Sequence, residues 1–163
     1  MTPIDIKYRS ILNDSDVLAI REILNSTGYF YDYEVEIAEE LAGENLLKGE
    51  QKSGYIFNIA EMYGNPIAFS CYGKTPCTAD SFDLYWIAVH ESQRGKGIGK
   101  KLMDMAVSDI GRLSGKNIWI ETSSRPVYES TRLFYLKYGC EIIAELPNFY
   151  GKNDNKVVFL KRV

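Results

Sequence analysis

The chain is poor in the residues that build metal and disulfide scaffolds. It has one histidine and three cysteines, Cys71, Cys77 and Cys140, in 163 residues. An odd number of cysteines without metal-ligand spacing argues against a disulfide framework and favours a reducing cytoplasm. No metal site is expected. No apolar run approaches the roughly 18 residues that a membrane span requires, so no membrane partner is expected. The first residues, Met1-Thr2-Pro3-Ile4-Asp5, carry neither a basic nor an apolar signal region, so no signal peptide is expected. There is no excess of positive charge. A net charge of −3 gives no overall field that would hold nucleic acid. Repeats and low-complexity segments are absent from the sequence as well. What is present is ordinary for a globular protein: 45% hydrophobic and 25% charged residues. The length suits one domain over residues 1–163 with a substantial core.

The hydrophobic pattern alternates between two periods. Ile4 to Arg9 reads as a first strand. Asp14 or Ser15 can cap a helix with the stripe Val17, Ile20, Ile23 and Leu24, ended by Gly28. A second helix spans about Tyr33 to Lys48, with Ile37, Ala38, Leu41, Ala42 and Leu46 inward. Tyr55 to Tyr63 and Ile67 to Gly73 form a hairpin around Gly64-Asn65-Pro66. Asp83 to Val89 is another strand. A helix follows from about Gly97 to Ser114, with Ile98, Leu102, Met105, Ala106 and Leu113 inward. After the strand Asn117 to Thr122, Pro126 suits a helix start and Gly139 its cap. Cys140 to Leu146 and Lys156 to Lys161 are closing strands. The string β-α-α-β-β-β-α-β-α-β-β predicts an α/β fold with a mixed, largely antiparallel sheet of about seven strands flanked by helices.

The densest chemical signal is Gln93-Arg94-Gly95-Lys96-Gly97-Ile98-Gly99-Lys100, between the strand ending at Val89 and the helix beginning near Ile98. Strand, glycine-rich turn and helix start together present backbone N–H groups to a phosphate. Glycine permits positive φ and close approach. The helix start adds partial positive charge, and Arg94, Lys96 and Lys100 add full charges. A Rossmann fingerprint is excluded because Lys100 stands where its third glycine belongs. A P-loop is excluded because Lys101 follows Gly99-Lys100 where a Ser or Thr is needed.

This stretch resembles the pyrophosphate-binding signature of the GCN5-related N-acetyltransferases, [QR]-x-x-G-x-[GA], with Arg94, Gly97 and Gly99 at its fixed positions. Leu133-Phe134-Tyr135-Leu136-Lys137-Tyr138-Gly139-Cys140 resembles the late helix of that family, L-Y-x-K-x-G-F. The resemblance covers roughly Asp83 to Glu145. Two positions depart from it. Glu91 stands where proline is frequent, and Tyr128 stands where the family often has an asparagine against the pantetheine arm.

The resemblance implies acetyl-CoA as cosubstrate and transfer of its acetyl group to a primary amine. Cofactor contacts would come from Ala88, Val89, Arg94, Gly95, Lys96, Gly97, Ile98, Gly99 and Lys100, with Ser130 either a contact or a helix cap. It also implies a bulge in the fourth strand and an oxyanion donor in the backbone near Ala88 or Val89. Tyr135 matches the tyrosine that protonates or hydrogen-bonds the leaving sulfur. A phenol with a pKa of about 10 is still a donor at neutral pH. The amine must lose a proton, and Asp83 and Glu121, at opposite ends of neighbouring strands, are both candidates for the base. A water chain without a dedicated base is the third option. His90 reads as a turn residue, and no cysteine reads as a nucleophile.

Tyr29-Phe30-Tyr31-Asp32-Tyr33 and Asn148-Phe149-Tyr150-Gly151 are aromatic clusters. Aromatic walls with carboxylates hold ammonium groups, so the acceptor is expected to be a small cationic amine, attacked directly. The rivals are a peptide or protein N-acetyltransferase and a non-catalytic acyl-CoA-binding module. The closing strands could pair across a homodimer, although the sequence does not demand it.

Overall fold

A computed structural model of the chain describes residues 5–163. Among them lie β1 (Ile6–Arg9), α1 (Asp16–Thr27), α2 (Asp32–Ser53), β2 (Ile56–Met62), β3 (Asn65–Lys74), β4 (Ser81–Val89), α3 (Ile98–Arg112), β5 (Asn117–Ser123), α4 (Glu129–Tyr138), β6 (Glu141–Gly151) and β7 (Asp154–Arg162). Short 3-10 turns, Glu91–Gln93 and Pro126–Tyr128, lead into α3 and α4. The seven described strands form one sheet in the order β1-β2-β3-β4-β5-β7-β6. β4 and β5 are parallel. The pairs β1–β2, β2–β3, β5–β7 and β6–β7 are antiparallel. This is the mixed α/β architecture that the periodicity predicts. The expected start of β1 at Ile4 lies outside the described residues.

The described residues fall into two compact units, 5–73 with 86–106, and 74–85 with 107–163. In the first unit the sheet is apolar on both faces. Phe57, Ile59, Phe69, Cys71, Trp86 and Ala88 share a cluster with Ile20, Ile23 and Leu24 of α1 and Val35, Ala38 and Ala42 of α2. On the other face Ala60, Ile67, Ile87 and Val89 pack with Ile98 and Leu102 of α3. Alternation along Trp86-Ile87-Ala88-Val89 follows from the two-residue repeat of a strand.

Three local readings of the sequence are corrected here. The buried stripe of α2 is Val35, Ala38 and Ala42, and Ile37 is 44% exposed. Of the expected inner face, Ala38 and Ala42 are buried and Leu41 and Leu46 pack partly buried on the same cluster, so the correction is Val35 in place of Ile37. The β2–β3 turn is Tyr63-Gly64, with φ of 53° and 79°. Two left-handed residues match the twist of a hairpin, so Asn65 and Pro66 already belong to β3. Finally, α3 ends at Arg112, because Ser114 turns left-handed (φ 63°). Leu113 is therefore 54% exposed, and Met103 and Ile110 are buried instead.

In the second unit β5 pairs with β7 from Asn117 opposite Arg162 to Ser123 opposite Lys156. β6 pairs with β7 and is exposed along its whole length. Its register breaks between Leu146, opposite Lys156, and Gly151, opposite Asp154. Residues 147–150 therefore bulge out opposite Asn155 alone.

A charged knot ties β1 to α1. Arg9 donates from both terminal nitrogens to the two carboxylate oxygens of Asp16, at 2.7 and 2.6 Å. Its Nε donates to Glu61 on β2 at 2.9 Å. The Asn13 N–H donates to Asp16 at 2.7 Å, which ties the segment before α1 to the same carboxylate, and the Ser15 side chain makes no capping bond. Asp16 is 1% exposed, and removing one partner of a buried pair strands the other charge. Asp16→Ala should cost about 3 kcal/mol of stability, read as a lowered urea midpoint. An unchanged midpoint would show that Glu61 alone satisfies Arg9.

Candidate active site

The first unit carries the candidate anion cradle, built from backbone. β4 ends where the His90 N–H donates to the Ile67 carbonyl at 2.8 Å. His90 then accepts the Ser92 N–H on its ring nitrogen and starts the 3-10 turn, a capping role consistent with a turn residue. Gly95 and Gly97 follow with φ of 75° and 77°. A β-carbon on either would meet nothing within 4 Å. Glycine is thus needed there for its backbone conformation, and open space lies before it. Ile98 is buried and anchors the helix start. The Gly97 carbonyl accepts the first helical bond, from Lys101 N–H at 3.1 Å. The amides of Ile98, Gly99 and Lys100 precede that bond, where a helix leaves its N–H groups for an external acceptor.

The charged side chains of the loop are held by neighbours. Lys96 donates to Gln93 at 2.7 Å, and Lys100 pairs with Asp104 at 2.8 Å on an exposed face. Arg94 donates to the Tyr29 hydroxyl and to Glu91, the latter at 3.2 Å. The Glu91 N–H donates to Ser26 Oγ of α1 at 3.0 Å. Tyr29, expected beside the acceptor, instead braces the loop arginine. Tyr31 and Tyr33 stack on each other at 5.4 Å. Sequence reading missed this brace because 65 residues separate Tyr29 from Arg94.

The second unit carries the candidate acid and base side chains, distributed over two faces of its sheet. Ser81 to Leu84 pair in parallel with Asn117 to Ile120 in an unbroken four-residue register, and β4 continues to Val89 beyond it. Phe82, Leu84, Ile118 and Ile120 are buried on one face. By alternation Asp83, Trp119 and Glu121 lie on the other. Tyr135 of α4 packs on Phe159, opposite Ile120, with ring centroids 5.5 Å apart. The two candidate carboxylates therefore share a face, and Tyr135 belongs to the opposite one.

The carboxylates differ in surroundings. Asp83 is half-buried and accepts a hydrogen bond from Thr75 Oγ1 at 2.8 Å. Burial pushes its pKa up, the Thr75 bond partly offsets this, and the charge of Glu121 adds to the rise. Glu121 is exposed and pairs with Lys156 Nζ at 2.8 Å. Lys156, which sequence reading did not single out, has its ammonium 3.7 Å from the centroid of the Phe149 ring. The aromatic wall expected to hold an acceptor ammonium thus holds one from the chain itself.

Burial, and secondarily the neighbouring Cys140, raise the pKa of Tyr135, which keeps the phenol protonated at neutral pH. Cys140 is pushed up to about 11 by burial, with Lys161 opposing, so it is a thiol rather than a nucleophilic thiolate. Cys71 is raised by burial in the same way. Ser130 lies in the first turn of α4, but the cap position is Tyr128, so Ser130 is not the helix cap. Among the described residues no cluster of three or more His, Cys, Asp or Glu is arranged for a metal, and no helix is long and apolar enough to cross a membrane.

The profile of the acetyltransferase (GNAT) domain matches residues 53–141, more than half of the chain. A GNAT-family protein from Desulfovibrio desulfuricans has a crystal structure 34% identical to this chain, with a TM-score of 0.93 over 97% of this chain and 99% of the other. The chain belongs to the GNAT acetyltransferase family. Its fold is also that of yncA from Salmonella typhimurium, solved with its cofactor acetyl-CoA (16% identity, 96% and 93% coverage, TM-score 0.73). A Dictyostelium discoideum protein described as an inactive serine/threonine-protein kinase is 28% identical over 108 residues. That alignment takes in 66% of this chain and spans 27% of the length of this curated relative. In this GNAT acetyltransferase the glycine loop, Asp83, Glu121 and Tyr135 fall inside the matched segment, and Tyr29, Phe149 and Lys156 fall outside it.

Asp83 gives this acetyltransferase a pH signature. Its folded pKa lies above the ordinary 3.8, so over the interval between them the folded state binds more protons than the unfolded state. Stability therefore falls as pH rises through that interval, and the deficit persists above it. Asp83→Asn keeps an acceptor for Thr75 and removes the charge. It should be more stable than the parent at neutral pH and lose this component of the slope, as followed by urea denaturation across about pH 4 to 8. A parallel profile would assign the slope to other groups.

Proposed function

We propose that this GNAT acetyltransferase moves the acetyl group of acetyl-CoA to a primary amine of a small molecule by direct attack, as one catalytic domain over residues 1–163. The observation that carries this reading is the start of α3, where two left-handed glycines open the backbone before a helix N-terminus. The amides of Gly95, Lys96, Gly97, Ile98, Gly99 and Lys100 would hold the pyrophosphate, with Arg94 as the matching cation. Ser130, in the first turn of α4, would meet another part of the cofactor.

In the reaction the amine nitrogen gives up a proton, attacks the thioester carbon and forms a C–N bond as the C–S bond breaks. Backbone N–H at Ala88 or Val89 would take the oxyanion. Tyr135 would give a proton or a hydrogen bond to the departing thiolate, a role that its protonated state supports. Asp83 is the better base of the two candidates, because burial raises its proton affinity while Glu121 is held in an ion pair with Lys156. A direct route is favoured by the raised thiol pKa values of Cys71 and Cys140. The three free thiols support a cytoplasmic setting. The fully exposed edge strand β6 is where a homodimer could pair.

Release of coenzyme A from acetyl-CoA, measured against small amines, amino acids and short peptides, tests the reading. Turnover confined to peptides would move the acceptor to proteins. Binding without turnover on any acceptor would leave a cofactor-binding module. Gly97→Val forces a side chain into left-handed backbone, at about 1–2 kcal/mol, and fills the cradle. It should raise the acetyl-CoA KM at least about tenfold, and an unchanged KM would remove the loop from the site. Tyr135→Phe should lower kcat about 10- to 100-fold with the fold intact. Full activity would end its role as acid.

A further inference from the structure

The β6–β7 end of the second unit contains a finished ammonium site. Lys156 Nζ lies 2.8 Å from the Glu121 carboxylate and 3.7 Å from the centroid of the Phe149 ring. Only 13% of the Lys156 side chain is exposed. These are the two attractions, charge and ring face, that a free ammonium ligand would use. The aromatic wall is also pinned. The Asn148 N–H donates to Asn155 Oδ1, and the Asn153 N–H donates to Asn148 Oδ1, both at 2.8 Å. Phe149 and Tyr150 pack edge to face with centroids 5.1 Å apart on this bulge. Ser123 stands opposite Lys156 on β5, so Lys156, Glu121 and Asp83 share the face of the sheet to which the base is assigned.

We propose that Lys156 determines acceptor class by occupancy: its own ammonium fills the Glu121–Phe149 box and excludes acceptors that carry a second, fixed cation near the reacting amine. The inference rests on the acetyl-transfer reading only for its kinetic arm. In the parent protein the preferred acceptors are amines whose remaining groups are neutral or anionic. Removing the lysine charge empties the box and leaves Glu121 and the ring faces to an external cation.

The test uses an isosteric pair of amines, (2-aminoethyl)trimethylammonium and 3,3-dimethylbutylamine, which differ in one charge. Lys156→Met should raise the cationic-to-neutral ratio of kcat/KM by about tenfold over the parent. Tetramethylammonium, a probe that cannot be acetylated, should shift the ring resonances of Tyr150, which packs on Phe149, in Lys156→Met and not in the parent. Adding Phe149→Ala to Lys156→Met should abolish the gained binding. Lys156→Gln, which keeps much of the length and loses the charge, serves if the Met variant does not fold. An unchanged ratio together with no tetramethylammonium binding in a folded charge-loss variant would overturn the proposal. If the parent transfers acetyl to no amine, the transfer reading fails by itself, and the tetramethylammonium titration still decides the box.

Discussion

Left-handed backbone at Gly95 and Gly97 is the constraint on which the candidate anion cradle depends. The chain must leave β4, turn through a 3-10 segment and enter α3 with its first amides facing outward. Positive φ at two positions reverses the path within three residues, and only glycine adopts it without steric cost. The buried Ile98 then fixes the helix start to the sheet of the first unit. What the loop would offer an anion is thus backbone direction more than side-chain charge, since Lys96, Lys100 and Arg94 each have a protein partner.

The second unit separates the candidate proton acceptors from the candidate proton donor. Strand alternation does this directly. Asp83 and Glu121 lie on one face and Tyr135 packs against the other, so the candidate carboxylates and the candidate phenol have separate surroundings. Burial acts on both groups in the same direction. It makes Asp83 a stronger proton acceptor and keeps Tyr135 protonated. Lys156 breaks the symmetry between the two carboxylates, because an ion-paired Glu121 is a weaker candidate for the amine proton than an unpaired, half-buried Asp83.

Much of the fold was legible because its signals are local. The order of strands and helices follows from periods of two and 3.6 residues, and the glycine loop is contiguous. The readings that needed correction are those where local pattern admits two answers. Ile37 and Val35 both lie on plausible apolar rows of α2, and contact with α1 decided for Val35. Leu113 continued the stripe of α3 on paper, and the left-handed Ser114 ended the helix before it. Asp16 carried no local mark of its pairing with Arg9, since that bond depends on where β1 meets α1.

The sequence by itself determined the family-bearing segment, the strand-loop-helix that offers amides to a phosphate, and the residue types available for acid and base work. These depend on neighbours within a few positions, which the chain carries whether or not it is folded. Only the tertiary structure decided which carboxylate is held in an ion pair, that Tyr29 braces Arg94, and that Lys156 sits in the aromatic box. Each of these is a contact between residues about 30 or more apart, or across a strand register. A one-residue slip of β7 against β5 would move Lys156 to the other face and away from Glu121.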